Sequence, residues 1–340
     1  MSSSRSVQTA LIAVPSIIIT IAGLKAASDL IVILLLSVFI AIISVGAIGR
    51  FERLGMNKTV ALLVTVAIMI IAFSIVGIIV SNAINAFNAR LDFYTLQLQL
   101  QLKSLITMLN SWGITISQES LFEKLRSTNY MEYFALFFQG LQSVITDSFM
   151  IILIVIFMIT GRDIFMLKIE QAFPVTVQAM LREFFTQINA YMLIKTWISL
   201  LTGAFVGIGM YLLDVDFPLL WGVMAFLLNF IPNIGSLIAG IPPVVLAFIQ
   251  FGPFEALIAV GIIVFVNTVV GMGIEPKATG KGLGLSSLVV LLSLIFWGWI
   301  FGPIGMLLSV PLTIMLKLLF LMSETTRPIA IMLGDGTNNR

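Results

Sequence analysis

Beyond Asp216 the chain carries almost no charge: the stretches 217–254, 256–274 and 282–316 contain no Asp, Glu, Lys or Arg. Runs of this length belong in lipid, where a hydrocarbon core of ~30 Å takes about 20 helical residues per crossing. In that solvent every backbone N–H and C=O needs a partner within the protein, which leaves helices or closed barrels. The apolar runs are continuous rather than alternating, which argues against a barrel. The rest of the 340 residues agrees: 59% are hydrophobic and 10% are charged, against about 25% charged in a soluble domain. The fold class expected is an all-α polytopic membrane protein.

What is missing limits the chemistry. There is no cysteine and no histidine, so thiolate nucleophiles, disulfides, imidazole metal ligands and His-based triads are excluded. With a net charge of +2 and no basic stripe, a nucleic-acid partner is not expected. No catalytic constellation is visible, so the chain reads as a non-enzyme with no metal and no cofactor. The first apolar run starts near Val7, lacks a clear cleavage site and is followed at once by another, so no cleavable signal is expected.

The chain organises into five parts: 1–81, with three spans; 82–146, an extramembrane segment; 147–192, a span and a polar amphipathic helix; 193–322, a core with two interrupted segments; and 323–340, a tail. Within 82–146, Leu96 to Leu102 alternates strictly with Gln, a strand signal. Leu91, Tyr94, Leu98, Leu102, Leu105, Leu109 and Trp112 instead follow spacings of three and four. Leu and Gln favour helices and neither is β-branched, so a long amphipathic helix is expected. Its face has three possible uses: packing on the same chain, a near-heptad contact between subunits, or lying on the membrane surface. After Pro174, the positions Val177, Leu181, Phe184, Ile188 and Tyr191 share one face, and that helix is expected to run into the fifth span through Lys195.

Two apolar segments are broken. As one helix, 217–254 would reach ~57 Å, nearly twice the bilayer core, yet it is too short for two crossings. Ile231-Pro232-Asn233-Ile234-Gly235 interrupts it, and Pro242 and Pro243 are expected to disturb its second half further. The segment 282–316 repeats the plan, with Gly302-Pro303-Ile304-Gly305 followed by Pro311. Paired broken helices are the best sequence pointer to a transporter binding site; two kinked helices without a site are the plain alternative. With the amino terminus inside, letting each broken segment return to its starting side puts most of the 18 Lys and Arg on the inner side, as the positive-inside rule requires. The expectation is therefore about six crossings plus two opposed re-entrant hairpins whose tips meet near the membrane midplane, with eight simple crossings as the alternative.

The polar groups at these breaks and in the span between them are neutral. Asn229, Pro232, Asn233, Gly235 and Ser236 sit at the first break, Gly302, Pro303, Gly305 and Ser309 at the second, and Asn267 between. They suit a small polar, uncharged solute, or serve as hydrogen-bonding glue between helices. Glu275 is a proton or cation candidate, or else the interfacial partner of Lys277. Asp147, flanked on both sides by uncharged stretches, is an intramembrane acid or a helix cap. Gly280-Lys281-Gly282-Leu283-Gly284-Leu285-Ser286 lacks the strand–loop–helix context of a phosphate loop and reads better as a hinge.

Over about 190–322 the sequence resembles the autoinducer-2 exporter family of bacterial permeases. The matching stretches are Asn229 to Gly235, Pro242-Pro243, Glu275-Pro276, Gly280 to Ser286, and Ile295-Phe296-Trp297-Gly298-Trp299 through Gly302-Pro303 to Pro311-Leu312. The resemblance implies a multi-pass protein of the bacterial inner membrane, a homo-oligomer such as a pentamer, exporting the furanose-derived signal autoinducer-2. It also implies an alternative, since some relatives are regarded as sodium/proton antiporters. A non-transporting membrane scaffold is the third reading. The topology yields a direct test, clean because the chain has no native cysteine. Lys281→Cys is expected to react with an impermeant thiol reagent from the cytoplasmic side only; reaction from outside would favour eight crossings.

Overall fold

The computed structural model describes residues 15–336 apart from 17, 112, 114–146, 233, 276 and 278–283. The described residues are helical, with no strand among them. Residues 18–26 are helical; after them, in chain order, come α1 (Ser28–Arg53), α2 (Lys58–Ala89) and α3 (Leu91–Ser111). α4 (Asp147–Thr160) and α5 (Arg162–Ala172) follow, bent by 59° at Gly161. Then come α6 (Val175–Leu212), α7 (Pro218–Leu228), α8 (Gly235–Phe251) and α9 (Pro253–Val266), which continues as a π-helix over Asn267–Ile274. α10 (Ser287–Leu307), α11 (Ser309–Leu321) and α12 (Arg327–Met332) complete the chain. Among the described residues five helices are long and apolar enough to span a membrane, α1, α2, α6, Pro253–Ile274 and α10, or six if the bent α4–α5 pair counts as one span. Large apolar side chains such as Leu63, Ile71, Ile75 and Ile78 are exposed along α2, as a lipid-facing helix requires. Two compact units are present: residues 1–50, 150–190 and 281–340 form the first, and 51–149 with 191–280 form the second.

The second unit has a core built on Phe87, Tyr94, Met210, Trp221 and Leu246. Gly203 and Gly207, one turn apart on α6, meet Gly222 of α7. A Cβ on Gly203 would lie 2.6 Å from the Gly222 carbonyl oxygen, so these helices approach backbone to backbone, the small-residue packing of membrane helices. α3 packs on α8. Leu98 and Leu102 are half-buried while Leu96 and Leu100 are exposed, so the Leu/Gln alternation is a helix with every second leucine inside. The inner face of α3 is thus used within the chain; Trp112 lies outside the described residues.

One loop ties this unit together. Between α6 and α7 the backbone turns left-handed at Asp214 (φ 57°) and Phe217 (φ 63°), an outlying conformation for a bulky residue. Asp216 holds it from four directions. Its carboxylate accepts from Arg90 at 2.9 Å and from the Tyr94 hydroxyl at 2.6 Å. Its backbone N–H donates to Gln250 Oε1 at 3.0 Å, and its carbonyl accepts from Trp221 Nε1 at 2.7 Å. Burial, reinforced by the bond to Asp216, raises the Tyr94 phenol well above its ordinary value.

Both sequence breaks are structural breaks. α7 and α8 have 11 and 17 residues, ~16 Å and ~25 Å, and they pack on each other through a turn at 229–234. α8 runs on through Pro242 and Pro243, contrary to the expected disturbance. Proline's fixed φ is itself helical, so what is lost there is hydrogen-bond donors and not helical shape. In the first unit α10 kinks at Gly302, whose φ of 63° only glycine adopts freely. The chain breaks again at Leu308, and Trp297 Nε1 donates to Thr313 Oγ1 at 3.1 Å, joining α10 to α11.

The two breaks share a device. A Cβ on Gly235 would collide with the Leu228 carbonyl oxygen and stand 2.9 Å from the Ile231 Cβ. A Cβ on Gly305 would collide with the Trp297 carbonyl oxygen and stand 2.9 Å from the Phe301 Cβ. In each, glycine lets the second helix start against the carbonyl end of the first.

Two tests follow from these contacts. Gly235→Ala and Gly305→Ala are each expected to destabilise the solubilised protein by about 1–3 kcal/mol through overpacking. Gly261→Ala, where a Cβ meets nothing within 4 Å, is expected to leave the melting temperature unchanged or higher. The raised Tyr94 phenol leaves stability independent of this group below its unfolded pKa of about 10. Above that value the folded state holds a proton the unfolded state has released, so stability falls as pH rises. Tyr94→Phe is expected to flatten that alkaline loss in a melting-temperature series; an unchanged slope would remove Tyr94 as its source.

Candidate functional site

Within α6 a single charge stands in a long uncharged run: from Phe184 to Leu213 the sole ionisable acid or base of the Asp/Glu/Lys/Arg set is Lys195. Its side chain is 3% exposed. A lone ammonium taken out of water costs several kcal/mol, and the structure supplies a counter-charge: Lys195 Nζ forms a short ion pair with Glu275 Oε1. Glu275 is the residue immediately after the π-helical stretch Asn267–Ile274. Wide π turns are rare and concentrate at functional sites.

One helical turn after Lys195, Ser199 is fully buried and accepts a hydrogen bond from Asn229 Nδ2 at 3.0 Å. Asn229 caps the end of α7 at the first break. Thr202, on the same α6 face, returns its hydroxyl to the Ile198 carbonyl at 3.0 Å. One stripe of α6 therefore gathers the end of the π-helix through Lys195 and the broken helix through Ser199. The pair is buried on its lysine side and a quarter exposed (27%) on its acid side, and Ser199 and Asn229 connect the same α6 stripe to the first break.

The sequence-predicted residues distribute as follows. Asn229, Pro232, Gly235, Ser236, Asn267 and Glu275 all belong to the second unit. Asn229 and Gly235 are buried, and Pro232, Ser236 and Asn267 are half-buried. The Pro232 carbonyl accepts from Ile234 N at 2.7 Å within the turn. Asn233 lies outside the described residues. Glu275 pairs with Lys195, which corrects the interfacial pairing with Lys277. Asp147 is exposed at the first position of α4; residues 133–146 before it lie outside the described residues. Gly302, Pro303, Gly305 and Ser309 belong to the first unit. There Gly305 and Ser309 are buried, and the Ser309 hydroxyl has no hydrogen-bond partner among the described residues. Of the glycine-rich stretch, Gly284 accepts from Lys317 Nζ at 2.6 Å, and Ser286 caps α10 by accepting from Val289 N at 3.3 Å; residues 280–283 lie outside the described residues.

Lys195 and Ser199 were not among the sequence candidates. The signal for Lys195 was present, since a lone charge in a membrane span is a functional candidate by default. Ser199 carried none, because serine on a membrane helix commonly bonds its own backbone.

Comparison with known proteins covers almost the whole chain. The family model described as AI-2E family transporter matches residues 14–323. "AI-2 transport protein TqsA" of Escherichia coli (strain K12) is 34% identical over 321 residues, covering 94% of this chain and 93% of that protein. "Putative transport protein YhhT" of the same strain is 33% identical over 328 residues, 96% and 94% of the two chains. A Haemophilus influenzae protein with the same general name is 35% identical over 345 residues, covering 98% and 99%. With a matching model across its helical length and full-length relatives on this scale, the chain is a multi-pass membrane protein that belongs to the AI-2E family of transporters.

Proposed function

We propose that the protein is a secondary transporter or facilitator that exports a small polar signalling metabolite, autoinducer-2, across the bacterial inner membrane. The observation that carries this reading is the full-length similarity to TqsA, named as an AI-2 transport protein. The broken α7–α8 segment beside the Lys195–Glu275 pair supports it: the amide of Asn267 at the start of the π-helix and the amide oxygen of Asn229, whose Nδ2 is held by Ser199, are neutral groups that suit an uncharged, hydroxyl-rich solute. In this reading α7–α8 and α10–α11 are re-entrant hairpins, the amino terminus is cytoplasmic, and the protein works as a homo-oligomer. Asn233, at the turn by sequence, is a further solute contact. A second reading has one specific support: the buried ion pair fits monovalent cation/proton antiport, with Glu275 as the exchanging acid.

Flux in sealed vesicles separates the two. The export reading expects labelled autoinducer-2 to move and sodium to leave the proton gradient intact; the antiport reading expects the reverse. Removing one partner of a buried pair strands the other and costs about 3–5 kcal/mol, so the informative variant is the double Lys195→Gln, Glu275→Gln. Folded and oligomeric, it is expected to lose at least tenfold in flux; normal flux would make the pair purely structural. Asn233→Leu deletes one amide and is expected to weaken solute affinity up to about tenfold, the worth of one hydrogen bond.

A further inference from the structure

The first unit contains a cavity of about 930 Å³, at the upper end of small-molecule pockets, which the transport reading leaves unused. One wall is the apolar face of α1 from Val38 to Val45; the others come from the end of α4, from α5 and from the early part of α6. Among the described residues three cations line it, Arg162, Lys168 and Arg182, and no acid does. Arg182 is held by Glu170 at 2.5 Å, whereas Arg162 and Lys168 form no ion pair among the described residues. The neighbouring acids Asp163, Glu170 and Glu183 lie on the same helices but away from the cavity lining. Asn189 also lines it, and its amide oxygen is buried without a hydrogen-bond partner among the described residues. That oxygen rests against Gly46 of α1, where a Cβ would stand 2.5 Å away.

A buried acceptor without a donor is costly, and two exposed cations with no ion pair among the described residues stand beside an apolar trough. One ligand class matches all three features: an amphiphile with an apolar chain, an anionic group and a hydroxyl. The surrounding surface says where that ligand comes from. On α5 the apolar side chains Ile164, Phe165 and Leu167 are exposed, beside charged Arg162 and Lys168, the pattern of a helix lying in a membrane interface. From this cavity we infer a binding site for an anionic phospholipid with a hydroxylated headgroup, of which phosphatidylglycerol is the probe. Its phosphate meets Arg162 and Lys168, its chain lies along the Val38–Val45 face, and a headgroup hydroxyl donates to Asn189 Oδ1. Bound there, the lipid bridges α1, the bend at Gly161 and the start of α6.

The test uses the full chain, purified in detergent and stripped of lipid. Phosphatidylglycerol, phosphatidylcholine with the same acyl chains, and inorganic phosphate are added separately, and bound lipid is counted by native mass spectrometry alongside the melting temperature. One phosphatidylglycerol retained per chain with a raised melting temperature is expected, with no such effect from the other two. The double variant Arg162→Gln, Lys168→Gln, both at exposed positions, is expected to lower retention at least tenfold. Asn189→Leu is expected to lower the preference for phosphatidylglycerol over phosphatidic acid, which lacks the hydroxyls. Equal retention of phosphatidylcholine, the same stabilisation from inorganic phosphate alone, or retention unchanged in the double variant would each overturn the site.

Discussion

The demand that governs this molecule is that no charge and no backbone polar group may be left unpaired in hydrocarbon. Lys195 shows it most sharply. An ammonium placed in the apolar body of α6 is tolerable only because Glu275, eighty positions along the chain, is brought to it. That requirement fixes the end of α9 and its π-helical extension against α6. It makes the pair a poor source of net stability but a strong determinant of which arrangement is allowed.

The same demand explains how the breaks survive. A helix that stops inside the membrane releases carbonyls at one end and N–H groups at the next start. At 229–234 these are drawn into a tight turn, with Ile231 N on the Leu228 carbonyl and Gly235 N on the Ile231 carbonyl. The Asn229 side chain is meanwhile spent on Ser199. Gly235 and Gly305 make the turns possible by having no Cβ where a carbonyl stands. The strained corner at Phe217 persists for a related reason: Asp216 over-determines it with four bonds, the circumstance under which outlying backbone conformations last.

Much of this was legible in the residues. Uncharged length alone defined the class, because lipid accepts little else. Proline and glycine marked both breaks, since each alters a local backbone property that needs no partner to be read. Spacings of three and four identified α3 over the competing alternation, and its half-buried Leu98 and Leu102 confirm the face. The continuity of α6 through Lys195 followed from the same periodicity.

What the sequence by itself determined, then, is where helices run, where they stop and that they lie in a membrane. Only the tertiary structure decided who meets whom: Glu275 with Lys195 and not Lys277, Asn229 with Ser199, Asp216 with Arg90 and Tyr94. In a soluble protein, water makes apolar periodicity point to the core. Here lipid tails are as apolar as leucine, so the exposed Leu63 and Ile75 of α2 and the buried Leu246 of α8 look alike along the chain. Helix–helix partners are then chosen by close backbone approach at glycines and by the pairing of scarce polar groups. Both depend on residues distant in sequence, which no local pattern encodes.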